Sequence, residues 1–275
     1  MPENAPSHPV TLRVMSFNVW CDHPRHPAWS LRLPVAVSLL RYHQPDVIGG
    51  QEFRLNQLRD VARELPEYRW VGAGRDDGRE AGEFCPILYR HKRLEAVESG
   101  TFWLSADPKI PGKGWDAAYP RVVTWARLVD RATGHTLTHC NTHFDHLGRR
   151  ARRESARLLL DQIAALSDGR AVVVTGDLNC LESSAAYAIL TGGGLRDTLR
   201  ACQFPPLGPR KTWRGFLPGG LTSARLDYIF VGEGVTVRQH TVLTDHGPGG
   251  RHPSDHYPVV AELEFGAGVV NDEQG

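Results

Sequence analysis

The stretch AVVVTGDLN at residues 171–179 decides the fold class, because a run of apolar β-formers passes directly into the polar residues Asp177 and Asn179. Such a run, bounded by polar residues, is typical of a buried strand. It follows RRARRESARLLLDQIAAL (149–166), in which apolar residues recur at helical spacing at Ala156, Leu159, Ile163 and Leu166. A helix that leads into a buried strand indicates a protein of mixed α and β structure.

Working outward from this stretch, short β-like runs recur along the whole chain, from TLRVMSFNVW (11–20) to YPVVAELEF (257–265). Helical segments such as LRLPVAVSLLRYHQ (31–44) and RLNQLRDVAREL (54–65) lie between them. The order is neither a strict alternation of strand and helix nor all strand. We therefore predict a layered α/β sandwich, in which two packed mixed β-sheets are flanked by helices.

Composition places the chain among ordinary globular proteins. It has 275 residues, of which 41% are hydrophobic and 23% charged. Because no linker or repeat divides the sequence, we predict one domain over residues 10–266, with a flexible N-terminus at 1–9 and a flexible tail at 267–275. A formal net charge of +1 gives no general attraction to nucleic acid, although a local basic face remains compatible with it.

The cysteines and the N-terminus bear on location. The five cysteines are odd in number and contain no C-x-x-C pair, so neither a disulfide framework nor a zinc knuckle is predicted, and a reducing compartment is favoured. The first residues do not resemble a signal peptide, and no apolar run approaches the length of about 18 residues that spans a membrane. We expect a cytoplasmic monomer without stable membrane association.

Polar residues lie at the ends of the apolar runs at six places in the chain. One such residue alone is more often a turn or helix-capping residue. Six of them indicate a site, because strands of one sheet end close together in space. The residues concerned are Asn18, Gln51, Glu52, His143, Asp145, Asp177, Asn179, Asp227, Asp255 and His256.

The residue types in this set favour phosphate chemistry assisted by a metal. Hard oxygen ligands without clustered cysteines favour Mg²⁺ or Mn²⁺ over zinc. Mg²⁺ is commonly held by one or two carboxylates together with substrate phosphate. Hydrolysis of a phosphoester also needs a residue that activates water and donors for the phosphoryl oxygens. The acid, amide and imidazole groups that can supply these functions are Asp177, Asn179, His143 and His256.

Six motifs in this order carry a resemblance to a known family: SFNVW, GGQE, NTHFDH, GDLN, LDYIF and SDHYPV. Over residues 11–265 the chain resembles the endonuclease/exonuclease/phosphatase superfamily, the deoxyribonuclease I-like proteins. GDLN followed by a terminal SDHYPV is the specific part of the pattern. The resemblance implies a four-layered α/β sandwich and a metal-dependent hydrolase that acts on phosphoester bonds. TFWLS and GKGWDAAYPR are similar to a bacterial branch whose substrate we do not assign.

The resemblance also implies roles for individual residues. Glu52 is expected to be the principal Mg²⁺ ligand, with Asn18 and Asp255 near the same ion. Asp177 is expected to orient or deprotonate the attacking water, and Asn179 to hold a phosphoryl oxygen.

For the histidines, the family pattern implies that His256 contacts the scissile phosphate while Asp227 orients its other ring nitrogen. Such an aspartate would favour the imidazolium form. His143 is expected to bind phosphate. Apurinic endonucleases carry an acid at the position of Trp20, so this departure counts against the DNA-repair branch.

Four features allow two interpretations each. Asp145 either tunes His143 or caps the following helix. Arg121 is either a phosphate donor or a surface residue, and Trp115 either contacts substrate or belongs to the core. The arginines within 149–157 either neutralise a polyanionic substrate or form a solvated helix face.

The sequence leaves several functions open within and beyond this chemistry. We favour a nuclease-like or deadenylase-like 3′–5′ exonuclease slightly over a sphingomyelinase-like enzyme or an inositol-phosphate phosphatase. The lack of a membrane-binding segment weakens the lipid alternative. A non-catalytic binding module on the same fold is a third possibility, and the complete set of site residues argues against it. Nucleic acid is therefore one candidate partner among several phosphoesters.

Overall fold

Two six-stranded sheets form the centre of the computed structural model, which describes residues 10–215 and 224–266. The ends for which we predicted flexibility, 1–9 and 267–275, lie outside the described residues, as does part of the Gly/Pro-rich segment 203–220. The elements below are numbered in chain order.

The first sheet contains both ends of the described chain. Its strands are β1 (Val10–Asn18), β2 (Val47–Gln51), β3 (Tyr68–Val71), β4 (Ile87–Arg90), β11 (Val235–Val242) and β12 (Val259–Phe265). They are arranged in the order β11-β12-β1-β2-β4-β3. Strands β1 and β2 run parallel, whereas the other neighbouring pairs are antiparallel. The sheet is therefore mixed, as the sequence predicted.

The second sheet repeats this plan with the middle of the chain. Its strands are β5 (Leu94–Trp103), β6 (Val122–Asp130), β7 (Thr136–His143), β8 (Ala171–Asp177), β9 (Arg196–Asp197) and β10 (Asp227–Val231), in the order β5-β6-β7-β8-β10-β9. Here β7 and β8 form the parallel pair. Each sheet thus has a parallel pair near its centre, and a helix connects the two strands of each pair.

Helices cover the outer face of each sheet. The helices are α1 (Trp29–His43), α2 (Leu55–Glu64), α3 (Arg149–Ser167), α4 (Ala185–Gly192) and the single-turn α5 (Thr198–Ala201). Apolar residues of α1 and α2 pack on the first sheet, and those of α3 and α4 on the second. The four-layered sandwich is confirmed. Among the described residues, no helix combines the length and apolar character needed to cross a bilayer.

The sequence of β1 is almost continuously apolar because both faces of the strand are covered. Val10, Leu12 and Val14 face the second sheet, whereas Met15 and Phe17 face the helical layer. Successive side chains of a strand point to opposite faces, so a strand between two layers buries both. Burying the side chain of each large aliphatic residue contributes about 1.5–3 kcal/mol.

The two sheets approach closely at β2. A Cβ atom on Gly49 would lie 1.9 Å from Oγ1 of Thr175 in β8, so only glycine fits at this position without displacing the second sheet. This close approach is what Gly49 of the GGQE motif provides. It brings the residues that follow β2 next to those that follow β8.

One edge of the double sheet collects the polar strand ends. The parallel strands β1, β2, β7 and β8 all finish at this edge. Strand β10 begins there, because Asp227 pairs with Asp177 in the antiparallel register. The segment that leads into β12 reaches the same edge, since Val259 pairs with Ser16 near the end of β1. The topology therefore places residues from both sheets around one point.

Candidate active site

A cleft of about 700 Å³ opens at this edge of the sandwich. Most of the site residues predicted from the sequence line it, namely Glu52, Arg121, His143, Asp177, Asn179, Asp255 and His256. Asn18 and Asp227 are buried directly behind them and bond to Glu52, Asp177 and His256. The described residues that line the cleft do not include Trp115 or Asp145.

Asn18 joins the two carboxylates at the floor of the cleft. Its amide nitrogen donates to Oε1 of Glu52 and to Oδ2 of Asp177, each at 3.0 Å. Its amide oxygen accepts from the backbone N–H of Trp20 at 3.0 Å, which fixes the orientation of the amide. In this arrangement Asn18 bridges the two acids, and its oxygen points away from Glu52. The role of metal ligand that we expected for Asn18 therefore remains a prediction.

Glu52 is held in an unusual backbone conformation just after β2. Its φ is 61°, in the left-handed region that costs a non-glycine residue roughly 1 kcal/mol or more. The backbone N–H of Cys21 donates to Oε2 of Glu52 at 3.1 Å. Burial by itself would raise the pKa of Glu52, but the hydrogen bond from Asn18 and the charge of His256 outweigh it and lower the pKa. Glu52 is therefore held as a carboxylate.

The donor set at the floor of the cleft fits a divalent cation. Glu52, His143 and Asp177 each offer a ligand atom, and these atoms lie within 4.8 Å of one another. Asp177, Asp227 and His256 form a second cluster, but the ion pair between His256 and Asp227 described below occupies the imidazole, so the first group is the candidate metal site. The two carboxylates of the first group supply the hard oxygen ligands that Mg²⁺ and Mn²⁺ prefer. Asp255 lines the same cleft, and its pKa is raised, mainly by burial and further by Glu52.

His256 forms a short ion pair with Asp227. Its Nδ1 lies 2.7 Å from Oδ2 of Asp227, and its Nε2 lies 3.8 Å from Oδ2 of Asp177. Burial opposes the charged form of His256, but the charges of Asp227, Asp177 and Asp255 raise its pKa well above the ordinary value. The ring is therefore an imidazolium whose free N–H faces the cleft. Ser254 positions this segment, because its hydroxyl donates to the carbonyl of Asn18 at 2.7 Å and accepts from the backbone N–H of His256.

Asp177 has the pKa expected of a base that works near neutrality. Burial and the neighbouring charge of Asp227 raise its pKa to about 7, although His256, Asn179 and Asn18 act in the opposite direction. The backbone N–H of Asn179 donates to its Oδ1 at 2.9 Å. One carboxylate oxygen is thus held by the backbone, while the other faces Asn18, His143 and His256.

Asn179 fixes the tautomer of His143. The amide nitrogen of Asn179 lies 2.8 Å from Nε2 of His143 and 3.0 Å from the carbonyl of Phe144. An amide nitrogen can only donate, so it donates to both groups, and Nε2 of His143 is the unprotonated acceptor. Burial and the charges of Arg121 and Arg75 likewise lower the pKa of His143 well below its usual range. A phosphoryl oxygen held by Asn179, as we expected, would have to displace one of these acceptors.

Asp145 organises the loops beside the cleft. Its carboxylate accepts from the backbone N–H of Gly148 at 2.8 Å, from that of Ala118 at 3.0 Å and from Nε of Arg121 at 3.3 Å. Burial would raise the pKa of Asp145, but these partners lower it to about 2. Of the two interpretations, the bond to Gly148, which precedes α3, favours the one in which Asp145 supports the start of the helix. It is placed to act on substrate through Arg121.

Arg121 is a buried cation at the wall of the cleft, so the interpretation as a surface residue is wrong. Beyond its bond to Asp145, its Nη2 lies 3.1 Å from Nδ1 of His146. Its Nη1 has no hydrogen-bond partner among the described residues. A buried guanidinium nitrogen without a partner is costly unless a ligand or water completes it. The positive charge of Arg121, at the wall of the cleft, is suited to an anionic group of the substrate.

Several cleft residues were not found from the sequence. Trp20, Cys21, His23 and His26 come from the segment after β1, and Arg75, Glu83, Tyr119, His146 and Trp213 come from other loops. Of the two aromatic residues in the segment GKGWDAAYPR, Trp115 is the one predicted to contact substrate, whereas Tyr119 is the one that lines the cleft. Trp115 is half-buried with a φ of 52°. No local sequence signal distinguishes these two aromatic residues.

The arginines of α3 are largely satisfied by their own surroundings. Arg153 and Arg157 pair with Glu154 at 3.1 and 2.8 Å, and Arg152 donates to the carbonyl of Asp145 at 2.7 Å. The described residues that line the cleft include none of the α3 arginines. This arrangement supports the interpretation of α3 as carrying a solvated face.

Comparison with known proteins agrees with this fold and site. The model of the endonuclease/exonuclease/phosphatase family matches residues 15–256, so the chain belongs to that family. Members of the family are metal-dependent phosphoester hydrolases, and this protein is a phosphoester hydrolase of the same class.

Two solved structures from Bacteroides thetaiotaomicron are similar over most of the chain. One, an endonuclease/exonuclease/phosphatase family protein, is 36% identical with a TM-score of 0.90, and the match covers 94% of this chain and 99% of that protein. The other, a mannosyl-6-phosphatase, is 37% identical with a TM-score of 0.88 and coverages of 92% and 100%.

A relative among curated proteins is an uncharacterized protein from Acanthamoeba polyphaga mimivirus. It is 25% identical over 197 residues, which cover 59% of this chain. The match spans 29% of that relative, so this chain corresponds to less than a third of its length.

Proposed function

We propose that this protein is a Mg²⁺- or Mn²⁺-dependent phosphomonoesterase that removes the phosphate from a small sugar phosphate. The observation that carries the proposal is the convergence of His256, Arg121 and Asp177 in one cleft of about 700 Å³. Its volume is in the range of small-molecule sites, about 300–1,000 Å³. The similar mannosyl-6-phosphatase supports a sugar phosphate as the substrate class.

Asp177 is the group we assign to the attacking water. With a pKa of about 7 it can accept a proton near neutrality, which is where general bases are most effective. Its Oδ1 is fixed by the backbone of Asn179, so the carboxylate is oriented before substrate binds. A water between Asp177 and the phosphorus atom would be activated and aimed by the same group.

His256 and Arg121 are the groups we assign to the phosphoryl oxygens. The imidazolium of His256 presents its Nε2–H to the cleft while Asp227 holds Nδ1. Arg121 brings a permanently charged guanidinium to the wall of the same cleft. A phosphomonoester carries up to two negative charges, so two cations that remain fixed during the reaction stabilise the charge that develops in the transition state.

The metal would be held by Glu52, together with Asp255 and Asn18 or with the neighbouring His143 and Asp177. When bound, a divalent cation polarises the phosphoryl group and neutralises part of its charge. The carboxylate state of Glu52 is consistent with this role: burial would raise its pKa, but Asn18 and His256 lower it.

A metal-supplemented activity panel tests the proposal. We expect release of phosphate from mannose 6-phosphate with Mg²⁺ or Mn²⁺, loss of activity with EDTA, and recovery when the metal is restored. Bis(p-nitrophenyl) phosphate, RNA, DNA, sphingomyelin and inositol phosphates are the competing substrates. The Asp177→Asn variant, purified in parallel, controls for contaminating phosphatases.

The panel also separates the alternatives. Stepwise release of nucleotides from RNA or DNA without monoester hydrolysis would replace the proposal with an exonuclease. No hydrolysis of any substrate under any metal condition would indicate a binding module.

A further inference from the structure

Tyr119 stands on the wall of the cleft and is half exposed, at 50%. It has no role in the reaction described above. The guanidinium of Arg75 lies 5.0 Å from the centre of its ring, and the ring of His146 packs against it at 5.8 Å with an angle of 19°. The three side chains form a stack that we call the Tyr119 wall. Their exposed surface faces the same cleft as the catalytic groups.

The Tyr119 wall is joined to the phosphate end of the cleft through Arg121. Nη2 of Arg121 lies 3.1 Å from the ring of His146, and the backbone N–H of Tyr119 donates to Oδ2 of Asp145, which also binds Arg121. A substrate whose phosphate contacts Arg121 would therefore have its next atoms beside His146 and Tyr119. The Tyr119 wall is thus positioned to contact the leaving group, the part of a phosphomonoester that is bonded to the phosphate.

The chemistry of the Tyr119 wall suits a leaving group rich in hydroxyl groups. Among the described residues, the Tyr119 hydroxyl makes no hydrogen bond, so it can both donate and accept. Arg75 is paired with Glu83 at 2.6 Å, and both residues line the cleft, which adds charged hydrogen-bonding groups beside the phenol. Contacts with Arg75 and His146 already occupy part of the Tyr119 ring surface on which a nucleobase would stack.

We propose that the Tyr119 wall is the leaving-group subsite of this enzyme and that the Tyr119 hydroxyl determines specificity for a polyhydroxylated ring. The proposal rests on the phosphomonoesterase function given above. Polar groups are strong determinants of specificity, because a site built to hydrogen-bond a substrate hydroxyl discriminates against analogues that lack it.

The test compares two substrates in the same enzyme. Tyr119→Phe removes the hydroxyl and keeps the ring that Arg75 and His146 pack against. We expect kcat/KM for mannose 6-phosphate to fall about 3- to 10-fold, the usual effect of losing one hydrogen bond, chiefly through KM. For methyl phosphate, which has no sugar ring, kcat/KM should be unchanged. Tyr42→Phe, at an exposed tyrosine of α1, is the matched control and should affect neither substrate.

Each outcome decides a different point. A parent enzyme that hydrolyses neither substrate would overturn the phosphomonoesterase function and, with it, the leaving-group subsite. A parent that hydrolyses both, with the same substrate ratio in Tyr119→Phe, would overturn the subsite alone. A nucleoside monophosphate is assayed as a third substrate, and a loss in Tyr119→Phe confined to it would overturn the polyhydroxylated class and assign the wall to a nucleoside.

Discussion

Nδ1 of His256 lies 2.7 Å from Oδ2 of Asp227, and the two residues approach the cleft from different sheets. Asp227 begins β10 of the second sheet, whereas His256 precedes β12 of the first. The ion pair therefore joins the sheets at the point where the substrate would bind. It also sets the charge of the imidazole, on which the first prediction depends.

Asp227→Asn should lower turnover and shift the alkaline limb of the pH–rate profile to lower pH. Burial opposes the imidazolium, and the charge of Asp227 is a leading cause of the raised pKa of His256. An amide removes that charge, so His256 loses its proton at a lower pH and activity declines earlier as pH rises. The measurement is kcat against pH with saturating metal.

Asp245→Asn is the matched control for this experiment. Oδ2 of Asp245 lies 3.2 Å from Nε2 of His43, and this comparable pair is outside the cleft. Its profile should follow that of the parent. An Asp227→Asn profile identical to the parent's would remove the pair from the mechanism.

Glu52→Gln should weaken Mg²⁺ or Mn²⁺ binding while the fold is retained. The change replaces a charged oxygen ligand by a neutral one of nearly the same volume. We expect a loss of affinity at least as large as the roughly 10- to 100-fold that results when the supporting residues of a metal site are changed. Calorimetric titration measures it, with Glu262→Gln, at the surface ion pair with Arg13, as the control. Equal affinities in variant and parent would refute Glu52 as a ligand.

Asp177→Asn and His256→Ala should each reduce kcat by about 100-fold or more, the usual scale for a positioned base or a charge that stabilises the transition state. The double variant should lose less than the product of the two single effects. Nε2 of His256 lies 3.8 Å from Oδ2 of Asp177, so both groups act on one transition state. Fully multiplicative losses would indicate that they act in separate steps.

His139 should make the protein less stable as pH falls below about 6.5. Burial lowers its pKa to about 3 in the folded state. Between these values the unfolded chain binds a proton that the folded protein does not, so the free energy of unfolding falls by up to about 1.4 kcal/mol per pH unit. In the fold, Thr175 donates to Asn141, so its hydroxyl oxygen accepts from Nε2–H of neutral His139.

Urea unfolding at several pH values between about 4 and 7 measures this slope. In His139→Gln the free energy of unfolding should fall less steeply as pH decreases. The difference in slope should be up to about 1.4 kcal/mol per pH unit, which corresponds to one proton, whatever the absolute stability of that variant. His246→Gln, at an exposed histidine, is the control. A slope in His139→Gln equal to that of the parent would show that His139 does not contribute.

The architecture could be predicted from the sequence because the spacing of apolar residues distinguishes helices from strands. The helices predicted at 31–44, 54–65 and 149–166 begin and end within two residues of α1, α2 and α3. Helix α4 was missed, since AAYAILTG is short and carries no polar face that would reveal its period. Strand order was also beyond local patterns: β2 pairs with β4, with β3 at the edge, and nothing in the three sequences specifies this.

For the site, the sequence located strand ends but could not orient the side chains. Most of the predicted residues meet in one cleft because strand ends of a packed sandwich converge. The backbone N–H of Trp20 determines the orientation of the Asn18 amide toward Glu52. The carbonyl of Phe144 likewise determines the orientation of the Asn179 amide. Such contacts arise from the folded backbone, so residue type and spacing do not encode them.

The hydrogen bond from Ser254 to the carbonyl of Asn18 connects residues 236 positions apart. Closing so long a loop is entropically costly and slows folding relative to proteins with local contacts. During synthesis, Asn18 and Glu52 cannot join the rest of the site until the chain has been made beyond His256. In refolding experiments, activity should accordingly recover later than the helical circular dichroism signal. Activity would then measure the last stage of folding, in which the two ends of the chain come together.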